Sequence, residues 1–185
     1  MMSILQTISS PGKKKIAVLI DPDKNDAASL QRITDICNSS GVDLILTGGS
    51  LVIGNTGDTV SLVKKHTRIP VVIFPGNVMQ ISGNADAILF LSLISGRNPE
   101  YLIGQHVIAA PALKRSGIEV IPTAYILIEN GRTTSVEYIS NTLPIPADKP
   151  DLVVAFEGGR GTADMVRQAE AAGVRVFRAT KISVQ

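Results

Sequence analysis

Residues 16–24 read IAVLIDPDK, five apolar residues followed at once by a charged turn. An unbroken apolar run of this length is typical of a strand that is buried on both faces. Similar runs recur along the chain, each followed by a loop and then by a helical pattern, which predicts a parallel sheet covered by helices. Because no strand leads into a GxGxxG turn, a dinucleotide-binding sheet is not favoured, and the predicted α/β fold is a TIM-like (β/α) barrel.

The apolar runs predict about seven strands in one domain that spans residues 1–185. An eight-unit barrel takes at least about 200 residues, so we expect a modified, incomplete barrel. Residues 130–150 are expected to form a surface loop with one helical turn. The strands are predicted at 16–20, 44–46, 71–74, 87–91, 119–122 continued by 125–128, 152–156 and 175–178, and the helices at about 27–39, 58–66, 99–116 and 162–172.

Composition excludes several classes of protein. No apolar run reaches the roughly 18 residues of a membrane-spanning helix, and the basic cluster near the N-terminus follows the apolar part, the wrong order for a secretory signal. A net charge of +2 and an aromatic content of 4% argue against a nucleic-acid partner. The single cysteine, Cys37, excludes an internal disulfide and predicts a cytoplasmic location.

The turn Asp21-Pro22-Asp23-Lys24 places two carboxylates and an ammonium group at the end of the first predicted strand. In a TIM-like barrel the loops after the strands form the active face. Mg²⁺ binds through one or two carboxylates together with substrate phosphates, and Lys24 is suited to neutralise a phosphate oxygen. The alternative is an ordinary turn that ends a strand, since Asp and Pro are common turn residues.

Two glycine-rich loops also follow predicted strands. In the first, Gly48-Gly49-Ser50, the glycines allow close approach to an anion and the Ser50 hydroxyl can support a metal; the alternative is a flexible turn. In the second, Gly158, Gly159 and Arg160 form a candidate phosphate cradle, with Glu157 as a candidate general base. The alternative there is a tight turn capped by Thr162.

Arg97 and Tyr125 are candidate substrate-binding residues. Arg97 lies just before a predicted helix, where it can hold a phosphate or form a structural ion pair. Tyr125 follows a proline in the fifth strand and either lines a substrate groove or packs in the interior. His66 and His106 lack metal-ligand spacing, and Cys37 has no evident base nearby, so none of these three is expected to be functional.

Five ordered segments resemble the geranylgeranylglyceryl phosphate synthases and the related bacterial heptaprenylglyceryl phosphate synthases. The resemblance covers about residues 13–155, and residues 156–185 diverge. It implies a modified TIM barrel whose partners are sn-glycerol 1-phosphate and a polyprenyl diphosphate. The segments are LIDPDK (19–24), TGGS (47–50), VVIFPG (71–76), ADAILFLSLISGRNPEYLIG (85–104) and PTAYIL (122–127).

The resemblance implies a Mg²⁺-dependent prenyltransferase that joins sn-glycerol 1-phosphate to a polyprenyl (geranylgeranyl) diphosphate and releases diphosphate, the first ether-bond step of ether-lipid synthesis. By motif, Asp21 and Ser50 resemble the Mg²⁺ positions. A homo-oligomer and transient membrane contact of the lipid product are also implied.

The segment 156–162 resembles two family loops at once, LEAGSGA and GGGIRT, and only one is its counterpart. Under the first, Glu157 matches a glutamate that contacts glycerol; under the second, Gly158 and Gly159 cradle the glycerol phosphate. Two hypotheses follow: an active prenyltransferase with a condensed phosphate site, or an inactive or partner-dependent remnant that lacks a full one.

Overall fold

A computed structural model describes residues 3–11, 14–148, 152–156 and 160–179. The chain divides into two compact units. The first comprises Met1–Ser92 and Pro99–Ala124, and the second comprises Leu93–Asn98 and Tyr125–Gln185. Nothing in this division tests the prediction of a single domain, which stays a prediction.

Parallel strands alternate with helices along the first unit, as the sequence predicts. Five strands form one sheet in the order β1-β2-β3-β4-β5, and β1 to β4 pair in parallel. Short 3₁₀ turns follow β1 and β3, at Pro22–Lys24 and Val78–Gln80. The elements are α1 (Ile4–Ser9), β1 (Ala17–Ile20), α2 (Ala27–Ser39), β2 (Leu44–Thr47), α3 (Thr56–His66), β3 (Val71–Ile73), β4 (Ala87–Leu93), α4 (Gln105–Ser116) and β5 (Glu119–Tyr125).

One face of this sheet packs against helices α2, α3 and α4. Ile45 and Ile73 on the strands are fully buried in the same cluster as Val60 of α3 and Leu113 of α4. Cys37 of α2 belongs to this cluster as well. Burial of such side chains supplies about 1.5–3 kcal/mol each, which favours apolar residues on the sheet face that packs against the helices.

The opposite face of the sheet is buried in part, and α1 contributes to its cover. Val72 and Ile121 form a second cluster, against which Ile4 and Ile8 of α1 pack. The carboxylate of Glu119 accepts hydrogen bonds from the amides of Ile4 (2.7 Å) and Leu5 (2.8 Å). A negative charge at these free amides satisfies the first turn of α1 and complements its dipole.

The second unit contains a short helix and a strand–helix–strand segment. A capping box between Thr134 and Glu137 starts α5 (Ser135–Ser140), which is the helical turn predicted within residues 130–150. Next come β6 (Leu152–Phe156), α6 (Arg160–Ala171) and β7 (Arg175–Ala179), with β6 and β7 paired in parallel.

The seven strands of the described residues coincide closely with those predicted, and α2 has the predicted bounds. Two features differ. The helix expected from residue 99 begins with a π turn at Glu100–Gly104, and α1 was not predicted. Among the described residues, no helix combines the length and apolar character needed to cross a membrane.

The contact between Glu119 and α1 gives a first prediction. Glu119→Ala leaves two amides of α1 without their charged acceptor, and we expect the free energy of unfolding to fall by about 1–2 kcal/mol. Urea unfolding measures this change, and hydrogen exchange should show faster exchange at Ile4 and Leu5. Asp35→Ala, which removes an exposed carboxylate from α2, is the matched control and should change stability by less than about 0.5 kcal/mol. Equal effects of the two variants would contradict the assigned role of Glu119.

Candidate functional site

The charged turn after β1 folds around the carboxylate of Asp21. Asp21 caps the 3₁₀ turn, and its Oδ1 accepts a hydrogen bond from the amide of Asp23 at 3.1 Å. Its Oδ2 lies 2.7 Å from Lys24 Nζ, and the Asp21 side chain is 28% exposed. The hydrogen bond and charge of Asp21 raise the pKa of Lys24. The carboxylate is therefore fixed in position while part of it still faces solvent.

The carboxylate of Asp23 points to a different partner, the loop between β2 and α3. Oδ2 accepts a hydrogen bond from the amide of Ile53 and Oδ1 accepts one from the amide of Gly54, both at 2.8 Å. These two amides, together with the charge of Lys24, hold the pKa of Asp23 below its ordinary value. The loop that contains Ser50 is thus tied to the turn that contains Asp21.

The loops after β2 and β3 meet backbone to backbone. Gly48 has φ of 143°, and a Cβ placed on it would lie 2.0 Å from the carbonyl oxygen of Phe74. A Cβ on Gly76 would lie 2.3 Å from the carbonyl oxygen of Gly49 and 2.8 Å from Ser50 Cα. No residue other than glycine fits at either position, because real Cβ atoms do not approach this closely.

Ser50 is partly buried, and its neighbour Gly49 faces both Gln80 and the turn after β1. Gln80 Nε2 donates a hydrogen bond to the carbonyl oxygen of Gly49 at 2.8 Å. On the other side, a Cβ on Gly49 would lie 3.8 Å from Asp21 Oδ1, an ordinary contact distance. The turn that contains Asp21 and the loop that contains Ser50 consequently meet, through Gly49, at the ends of neighbouring parallel strands.

The oxygen atoms at this place fit Mg²⁺ bound jointly by protein and substrate. Within the part of the chain that the structure describes, no group of three or more His, Cys, Asp or Glu side chains could hold a metal ion. Mg²⁺ does not need such a group, since it commonly binds one or two carboxylates plus substrate phosphates and water. The Asp21 carboxylate and the Ser50 hydroxyl are hard donors of the required kind. Gln80 Oε1, buried beside them, has no hydrogen-bond partner in the described residues.

Arg97 and Tyr125 both lie in the second unit. The amide of Ile94 donates to the carbonyl oxygen of Tyr125 at 3.0 Å. Asn98 Nδ2 donates to the carbonyl oxygen of Ser140 at 2.6 Å, which anchors the turn next to Arg97. Arg97 is exposed and has no ion pair with any described residue, while burial raises the pKa of the Tyr125 hydroxyl. The guanidinium group is thus available to an anion from solution.

Glu157, Gly158 and Gly159 lie outside the described residues, so their predicted roles stay predictions. Sequence reasoning missed the part played by Asp23, Gly76 and Gln80 in holding the loops together. Gly76 belongs to the segment VVIFPG, so the sequence offered a signal for its role. Gln80 lies in no motif, so the sequence offered none.

The surroundings of the three residues that are not expected to be functional are as follows. His106 Nε2 lies 2.7 Å from the carbonyl oxygen of Leu91, and its ring stacks on Phe90. Burial raises the pKa of the Cys37 thiol, which disfavours the reactive thiolate. His66 lies at the end of α3, beside an open hollow of about 490 Å³.

Residues 11–161 match the PcrB family. The chain is 56% identical over 144 residues to the geranylgeranylglyceryl phosphate synthase of Chitinophaga pinensis, covering 77% of this chain and 57% of that protein. It is 50% identical over 156 residues to the protein of the same name from Spirosoma linguale, covering 82% and 61%. The chain thus spans about three-fifths of the length of these curated relatives.

Two solved structures share the fold. One is wild-type GGGPS from Thermoplasma volcanium, with a TM-score of 0.74 and 26% identity over 100% of this chain and 92% of that one. The other is the (S)-3-O-geranylgeranylglyceryl phosphate synthase of Thermoplasma acidophilum in complex with sn-glycerol-1-phosphate, with a TM-score of 0.73 and 27% identity over 98% and 92%. This likeness, with the parallel strands, confirms the predicted TIM-like α/β fold.

The close contact at Gly48 gives a second prediction. Gly48→Ala adds a clash with the Phe74 carbonyl oxygen to backbone strain of about 1–3 kcal/mol, and we expect a total loss of stability of about 2–4 kcal/mol. Gly41→Ala is the matched control, because Gly41 also has a positive φ (67°) but open space around it. It should cost about 1 kcal/mol. Chemical denaturation of both variants measures the difference, and equal losses would show that the contact between the two loops is unimportant.

Proposed function

Because the chain belongs to the PcrB family, we propose that it is a prenyltransferase that joins sn-glycerol 1-phosphate to geranylgeranyl diphosphate or a related polyprenyl diphosphate. The observation that carries the proposal is the approach of the Asp21 turn to the Gly49-Ser50 loop at the ends of β1 and β2. The names of the relatives and the sn-glycerol-1-phosphate bound to the Thermoplasma acidophilum protein support it. The product would carry the first ether bond of an ether lipid.

The reaction exchanges one carbon–oxygen bond for another. The 3-hydroxyl oxygen of sn-glycerol 1-phosphate attacks C1 of the prenyl diphosphate, and the bond between C1 and the diphosphate oxygen breaks. The hydroxyl proton passes to a base, for which Glu157 is the candidate, and diphosphate leaves with the bonding electrons. Holding both substrates in line provides much of the rate enhancement, since it converts a bimolecular step into an effectively unimolecular one.

The proposal assigns Asp21 and Ser50 to Mg²⁺, which when bound would act as a Lewis acid that stabilises the negative charge of the departing diphosphate. Lys24 is assigned to a phosphate oxygen. Its side chain is 78% exposed, and its ammonium group forms an ion pair with Asp21. Arg97 is assigned to a phosphate group, because its side chain is exposed and forms no ion pair with another described residue. Tyr125 is assigned to the wall of the prenyl groove, and Gly158 and Gly159 to the glycerol phosphate.

The proposal extends to the surroundings of the enzyme. A homo-oligomer that makes transient contact with a membrane when it releases its lipid product fits the chemistry of that product. A reducing cytoplasm fits a sequence whose single cysteine is buried.

One observation favours a second candidate function. The family match ends at residue 161, and Gly158 and Gly159, which are assigned to glycerol phosphate, belong to the part of the sequence (156–185) that diverges from the family motifs. The alternative is an inactive or partner-dependent remnant of the enzyme that lacks a full glycerol-phosphate site.

A third prediction separates these candidates. Purified protein with Mg²⁺, radiolabelled sn-glycerol 1-phosphate and geranylgeranyl diphosphate should form a labelled lipid that extracts into organic solvent. Asp21→Asn should reduce the rate by about a hundredfold or more, because Lewis-acid stabilisation is worth several kcal/mol and each 1.36 kcal/mol is a factor of ten.

Asp26→Asn is the matched control for this assay. It makes the same chemical change five residues away, at the cap of α2, where Asn is as good a capping residue as Asp. It should retain full activity. Absence of product from protein shown to be folded by circular dichroism would instead support the inactive remnant.

A further inference from the structure

The loop from Gly48 to Asn55 joins β2 to α3, and its far half has little side-chain packing. Ile53 is 97% exposed and Leu51 is 65% exposed. Such side chains contribute almost nothing to the burial that usually fixes a loop. Hydrogen bonds to its backbone therefore contribute most to fixing the conformation of this segment.

Two side chains provide those hydrogen bonds, one near each end of the segment. The side-chain amide of Gln80 donates a hydrogen bond to the carbonyl oxygen of Gly49. Asp23 accepts the amides of Ile53 and Gly54. Gly54 belongs to the same contact, because a Cβ on it would lie 2.9 Å from Asp23 Oδ1. Ser50 lies between the two attachment points.

We propose that Asp23 is a positioning residue that fixes Ser50 relative to Asp21, and that it acts through the loop rather than as a metal ligand. The inference rests on the proposed function, for which Asp21 and Ser50 must bind the same Mg²⁺. Asp23 lies two residues from Asp21 in the chain and reaches three residues beyond Ser50, so its carboxylate links the two strand ends directly.

The hydrogen bonds explain why the two carboxylates of one turn have different roles. Each oxygen of Asp23 is directed at an amide of the opposite loop, and hydrogen bonds from backbone N–H groups to a carboxylate are about twice as strong as neutral ones. Among the residues that the structure describes, the carboxylate of Asp21 has its hydrogen-bond and ion-pair partners within its own turn, at Asp23 N and Lys24 Nζ. Residues that orient metal ligands in this indirect way typically change metal affinity or activity by about 10–100-fold when they are replaced.

The fourth prediction tests this role with Asp23→Ala, Asp23→Asn and the control Asp26→Ala. Asp26 also accepts one backbone amide, that of Ser29 at 2.8 Å, but it caps α2 and has no link to the loop after β2. Hydrogen exchange should show that Asp23→Ala removes the protection of the Ile53 and Gly54 amides. Asp23→Asn keeps one acceptor oxygen and should retain part of that protection, and Asp26→Ala should retain all of it.

The second measurement is the Mg²⁺ concentration that gives half-maximal prenyl transfer. Asp23→Ala should raise it by about 10–100-fold, Asp23→Asn by less, and Asp26→Ala not at all, with the KM for sn-glycerol 1-phosphate nearly unchanged. Melting temperatures of the variants show whether a general loss of stability contributes, since both alanine variants lose a hydrogen-bonded carboxylate.

The two measurements separate the possible failures. Unchanged exchange at Ile53 and Gly54 in Asp23→Ala would overturn the proposal whether or not the protein is a prenyltransferase. Lost protection with an unchanged Mg²⁺ requirement in an active enzyme would also overturn it, because the loop would then not position a ligand. An inactive wild-type protein would contradict the proposed function, and direct Mg²⁺ binding measured by calorimetry would then replace activity as the readout for Asp23.

Discussion

The loops after β2 and β3 touch through their backbones, and the geometry of the candidate site depends on this contact. A Cβ on Gly48 would lie 2.0 Å from the Phe74 carbonyl oxygen, and one on Gly76 would lie 2.3 Å from that of Gly49. The parallel register of β2 and β3 brings these loops to the same edge of the sheet, with Thr47 opposite Ile73. Two glycines then allow an approach that sets the position of Ser50.

Buried residues on both faces of the sheet stabilise the strands that lead to this edge. Ile45 and Val72 are fully buried, one towards the helices and one towards the opposite face. A polar residue inside such a sheet would cost several kcal/mol unless it found a partner. A charged carboxylate is therefore favoured where a strand leaves the sheet, and Asp21 follows immediately after Ile20, which is buried.

Periodicity predicted the strands and helices well, because hydrophobic residues on a two-sided sheet form runs that are visible in sequence. It did not predict α1, whose stability depends on Glu119, 115 residues away from Ile4. The capping box of Ser3 and Gln6 was the local signal for that helix. The charged turn and the glycine loop were predicted as neighbours, and they are. The role of Asp23 was not predictable, because its partners are backbone amides that leave no mark on the sequence.

The charges of the turn support the proposal that a cation binds there. Two carboxylates and one ammonium group leave Asp21 to Lys24 with a net negative charge. Hydrogen bonds to Ile53 and Gly54 stabilise Asp23 in its charged form without neutralising it, and Lys24 forms its ion pair with Asp21, so one negative charge of the turn is left over. A diphosphate brought to this turn would meet like charge, which costs free energy in a partly buried site. A divalent cation held by Asp21 and Ser50, as proposed, would supply positive charge that offsets this repulsion, so the turn would bind the diphosphate better with the metal than without it.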